Sequence, residues 1–233
     1  PDGSWGSRSS SKAGLSGLAL LTFLAHGETP SSKQFGQTVK TAIQWLAQDP
    51  VKNLGVHGYP HAIKTYALAE AYTMTGISLI EEQLLKCIEI IIKGQQKNGC
   101  FDYNYKADES RQDLSIAGWN YQAMKAAYST GLSIAGLEEA IFKAIDYLKK
   151  TGGSKSSFQY STQNNTPGRK KSTHTMRAVG VLCMQLYNEG DSAEIQDEIN
   201  TIATVDQGKL DWDKPPKGSL YGWYYATQCM FQV

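Results

Sequence analysis

Histidine, carboxylate and arginine side chains gather at separate places along the chain: His57 and His61; Asp108, Glu109, Arg111 and Asp113; His174 and Arg177; and Asp211, Asp213 and Tyr221. Imidazoles and carboxylates are the groups that hold a divalent cation or exchange protons near neutral pH. A site drawing on several of these places could therefore do acid–base or metal-assisted work. His61, Asp113, His174, Asp211 and Asp213 are the candidate catalytic groups. Each also has a local alternative, a helix cap or a nearby charge partner: Asp113 before Leu114 and Thr173 before His174 stand where N-caps stand. The cysteines Cys87, Cys100, Cys183 and Cys229 show no C-x-x-C pairing and read as small buried hydrophobes. No metal site is assigned and no cofactor is implied.

Aromatic residues form the second group that could meet a ligand. Tyr221, Trp223, Tyr224 and Tyr225 are nearly consecutive, and on a helix such neighbours cannot all face one partner, so some of them should line a cavity. The expected ligand-binding set is His57, His61, Trp119, His174, Arg177, Tyr221, Trp223, Tyr224 and Tyr225.

These residues need helices to position them. From Tyr59 to Gly76, Pro60 suits a first turn and Gly76 a left-handed stop, while Ile63, Ala67, Leu68, Ala71 and Met74 share one face. Gly27, Gly131 and Gly190 end similar segments. Aligned on these glycines, Ala13, Ala62, Ala117 and Met176 fall in one column, and Ala19, Leu68, Ala123 and Leu182 in another. The glycines recur about every 50 to 60 residues, a length that suits two helices per repeat. Between them run amphipathic segments with a shared phrase: Ala42-Ile43 with Trp45-Leu46, Cys87-Ile88 with Ile90-Ile91, and Ala144-Ile145 with Tyr147-Leu148. The spacing predicts buried inner helices near 12–26, 59–75, 114–130, 173–189 and 220–233, and outer helices near 34–48, 78–96, 136–150 and 192–204. Gly14 and Gly17 suggest close approach to a neighbour. Alternating β-branched runs are missing, so the chain is all-α. A curved stack of such hairpins closes into a ring, with the inner helix starts at one mouth.

The 233 residues suffice for one domain spanning 1–233, and a 41% hydrophobic, 19% charged composition is that of a globular protein. Net charge of +1 gives no electrostatic basis for a nucleic-acid partner. No apolar run has the length of a membrane span. The opening Asp2-Gly3-Ser4-Trp5 reads as the tail of a loop motif, and Cys229-Met230 matches Cys183-Met184 in column, which places the next terminal glycine beyond Val233. A fragment of a longer chain is expected, as an incomplete or trimmed ring. The first and fifth inner helices each lack an outer partner and are expected to meet, with Leu18, Leu21 and Phe23 near Trp223, Tyr224 and Met230.

Gln95-Gln96-Lys97-Asn98-Gly99-Cys100-Phe101 resembles the Gln/Trp motif of squalene and oxidosqualene cyclases, and Asp2-Gly3-Ser4-Trp5 looks like the end of another copy. With the paired-helix period, the chain resembles the α/α-toroid superfamily of terpenoid cyclases and protein prenyltransferases. It is most similar to uncharacterised bacterial proteins built from prenyltransferase/squalene-oxidase repeats, through Asp113-Leu114-Ser115-Ile116-Ala117-Gly118-Trp119 and Trp223-Tyr224-Tyr225-Ala226-Thr227-Gln228. The resemblance implies an α/α-toroid of helical hairpins whose aromatics line a chamber. The family's chemistry does not follow. Asp211-Trp212-Asp213 continues as Lys214-Pro215 where the cyclase acid motif D-x-D-D-T-A has Asp-Thr-Ala. Gly222 stands where a prenyltransferase zinc histidine would follow tyrosine, no D-x-C pair is present, and the thioester motif GCGEQ is missing. Two functions stay open: a binding or scaffold module taking a peptide, glycan or lipid into an aromatic concave mouth, or an enzyme on an apolar, polyisoprenoid or lyase-type substrate using the His/Asp set.

Overall fold

The computed structural model describes residues 2–48, 58–108, 111–152, 158–160, 173–206 and 220–233. In chain order they form α1 (Ser9–Ala25), α2 (Gly36–Gln48), α3 (Gly58–Thr75), α4 (Ser78–Gly94), α5 (Leu114–Ser129), α6 (Leu137–Thr151), α7 (His174–Leu186), α8 (Ala193–Thr201) and α9 (Leu220–Phe231). Among the described residues there is no β-strand, and no helix is long and apolar enough to cross a membrane.

The odd and even helices differ in kind. On α5 every residue from Leu114 to Met124 is buried, polar ones included. The even helices bury one stripe, such as Leu84, Cys87, Ile88 and Ile91 of α4, and on the other side α4 and α6 carry i,i+4 pairs: Glu82–Lys86, Glu89–Lys93, Glu139–Lys143 and Asp146–Lys150. Each acid precedes its base, the order that also suits the helix dipole. Successive odd helices pack side by side, α1 on α3, α3 on α5, α5 on α7 and α7 on α9, with the even helices against their flanks.

Glycine sets how near these helices come. A Cβ on Gly17 would stand 3.0 Å from Ile63 Cγ2, and one on Gly14 3.2 Å from Pro60 Cα, so α1 rests its backbone directly on α3. Gly3 and Gly99 both have positive φ, and each loop is seated on a helix carbonyl: a Cβ would lie 2.2 Å from Thr41 O in the first case and 2.1 Å from Lys143 O in the second. Thr41 and Lys143 precede Ala42 and Ala144, which share a column in the sequence. Two copies of one loop-on-helix contact thus recur a repeat apart.

Gly27, Gly76 and Gly131 are left-handed stops, as expected. Gly190 is not. α7 ends earlier, at Leu186, and the left-handed residue is Asn188, with Glu189 N–H donating to Met184 O at 2.8 Å. Asparagine tolerates this conformation better than other side chains, because its short amide can bond locally. Met74, placed by periodicity on the apolar face of α3, is exposed and lines a cleft instead. All four cysteines are buried as thiols.

Candidate functional site

The starts of α3, α5 and α9 share a network of hydroxyl groups. Asp113 caps α5, as its position predicts: Oδ1 accepts from Ser115 N at 3.0 Å and from Ser115 Oγ at 2.5 Å. A serine hydroxyl has one proton, and here it goes to the carboxylate. Tyr59 OH at 2.6 Å and Tyr160 OH at 3.1 Å therefore act as donors to Ser115 Oγ. Tyr221 OH donates to Ser115 O at 2.9 Å, and Tyr103 OH lies 3.4 Å from Tyr160 OH. The Arg111 guanidinium covers the Tyr103 ring at 4.4 Å and brings Nη2 to 3.9 Å from Asp113 Oδ2. Burial pushes the Tyr59, Tyr103 and Tyr221 phenols well above their ordinary range. They are protonated donors at neutral pH, not bases.

Deeper in, Trp119 stacks on Tyr224 at 4.9 Å and meets Tyr225 edge-on at 5.6 Å. Tyr225 is fully buried, and its hydroxyl accepts from Gln122 Nε2 at 3.1 Å. The aromatic run of α9 is thus divided by helix geometry. Tyr221 joins the hydroxyl network, Tyr225 enters the core, Tyr224 reaches an open cleft, and Trp223 is half-buried and outside that cleft.

The cleft, about 720 Å³, lies between α1, α3 and α9 toward their C-terminal ends. Leu18, Leu21 and Leu24 form one wall, Tyr66, Glu70 and Met74 the floor, and Tyr224 and Phe231 the other wall. α1 and α9, the first and fifth inner helices, therefore face each other across a gap, with Leu18, Leu21 and Tyr224 on its sides. Phe23 goes elsewhere, between Trp5 at 6.4 Å and Phe35 at 5.4 Å.

The other expected site residues are dispersed. His61 is buried beside α4: Nε2–H donates to Cys87 O at 2.9 Å and the ring meets Tyr105 edge-on. Burial lowers its pKa from 6.5 to about 4, so it is neutral. Arg177 Nε donates to Glu198 Oε2 of α8 at 2.6 Å, an ion pair that is largely buried. His174 opens α7 next to α9; a Cβ on Gly222 would lie 3.4 Å from its Nε2. His57, Glu109, Asp211 and Asp213 lie outside the described residues. Among those that are described, no group of three or more His, Cys, Asp or Glu side chains is placed to hold a metal ion.

Sequence reasoning missed Ser115, Tyr59, Tyr103 and Tyr160 as partners in one network, and it missed Glu70. A signal for Glu70 existed, since it is the only acidic residue of α3. No family model, no curated protein and no solved structure matches the chain.

Proposed function

We propose that the chain is an α/α-toroid repeat domain of the terpenoid-cyclase and prenyltransferase kind, acting as a binding module that takes an elongated apolar ligand into the cleft between α1, α3 and α9. The cleft carries this reading. Its volume falls within the roughly 300–1,000 Å³ typical of ligand pockets, and its walls are mostly leucine, methionine and aromatic rings. The toroid part draws support from the sequential packing of the odd helices and from the repeated seats of Gly3 and Gly99. Two of the candidate acids and bases are engaged elsewhere, His61 by a carbonyl and Asp113 by its cap, and Arg177 is paired with Glu198, which favours binding over catalysis.

Displacement of an environment-sensitive apolar fluorophore by 1-octanol tests the reading. Saturable displacement is expected in the native protein, and Leu21→Trp, which fills the cleft from one wall, should abolish it without altering helix content. Undiminished binding in the Leu21→Trp protein would place the apolar site elsewhere.

A further inference from the structure

The cleft holds one charge. Its other lining residues are apolar, aromatic or neutral polar, the last being Thr22, Thr227, Gln228 and Gln232, with no lysine, arginine or histidine among them. Glu70 meets no hydrogen-bond donor and no cation among the described residues. Desolvation raises its pKa, the mark of a carboxylate whose surroundings do not compensate its charge. A half-buried carboxylate in that position is costly to keep, and it offers a binding increment to any ligand that brings a positive charge. Three rings line the same space, Tyr66 on α3 and Tyr224 and Phe231 on α9, of which the two tyrosines stand nearer Glu70 in helix position, and the negative faces of such rings also favour cations.

We propose that the cleft selects ligands with an apolar tail and a single cationic head, an alkylamine or quaternary ammonium group, with Glu70 as its counter-charge and Tyr66 and Tyr224 as its aromatic partners. This rests on the cleft being an apolar binding site, and it adds the head-group chemistry. A tail of one length carried by three head groups separates the two claims. Calorimetric titration of the native protein with octyltrimethylammonium, 1-octanol and octanoate should give affinities in that order, with the cation at least about tenfold tighter than the alcohol. Glu70→Gln should bring the cation and alcohol to near-equal affinity and leave the alcohol unchanged. Tyr224→Leu should weaken the cation more than the alcohol. Tetramethylammonium, the head without a tail, should bind far more weakly than the octyl compound. Equal binding of cation and alcohol to the native protein overturns the head-group inference and leaves the apolar site standing. Failure of all three octyl ligands overturns both. Because the ligand series on the native protein decides the matter, it stands even where a variant folds poorly.

Discussion

Replacing His61 by glutamine separates a core histidine from a functional one. The native ring is 2% exposed, gives its Nε2–H to the Cys87 carbonyl, and shares α3 with Lys64, whose charge opposes a second proton. Its pKa falls from 6.5 to about 4, chiefly through burial. Between these values the unfolded chain binds the proton and the native protein does not, so stability drops as pH falls through 6.5 and levels off below 4. The full effect is about 3 kcal/mol, of which about 2 kcal/mol is lost between pH 7 and pH 5. Glutamine can keep a donor near the carbonyl but does not titrate. Urea unfolding of both proteins at pH 7 and pH 5 isolates the contribution, since carboxylates elsewhere contribute equally to each. The native protein should lose about 2 kcal/mol more than His61→Gln over this interval. Equal losses would show that the imidazole is not held neutral in the core.

Two other perturbations probe the scaffold. Gly99→Ala should cost about 2–5 kcal/mol in urea unfolding, because it combines a left-handed backbone with overlap on the Lys143 carbonyl, whereas Gly27→Ala, equally left-handed but with nothing within 4 Å, should cost only about 1 kcal/mol. Similar costs at both sites would contradict the described seat of the Gly99 loop. Glu198→Gln should destabilise by about 3 kcal/mol by leaving Arg177 buried without its carboxylate, and Arg177→Met combined with Glu198→Leu should recover much of that loss. Additive losses in the double variant would mean the two side chains are not coupled.

The parts of this structure legible in the sequence are those set by local chemistry. Apolar spacing and turn residues located the helices to within a few residues, and the left-handed glycines at Gly27, Gly76 and Gly131 marked three of their ends. Asp113 and Thr173 cap α5 and α7 as their positions imply. Asn188 is not legible as a stop because Gly190, two residues on, gives the stronger signal. The site was less legible because its meaning is tertiary. Nothing near His61 in sequence points to the Cys87 carbonyl on α4, and nothing near Arg177 points to Glu198 on α8. Splitting Tyr221, Tyr224 and Tyr225 among a polar network, a cleft and the core depends on how α9 lies against α5 and α7. Glu70 acquires interest only once α1 and α9 stand on either side of it.

The most direct test is a methyl-resolved NMR titration of the native protein with 1-octanol. Leu18, Leu21 and Leu24 on α1 and Met74 on α3 should shift together along one saturable curve, while core methyls such as Leu46 and Leu148 stay in place. Shifts confined to a different surface, or none at all up to the solubility of the alcohol, would contradict the assignment of this cleft as the binding site.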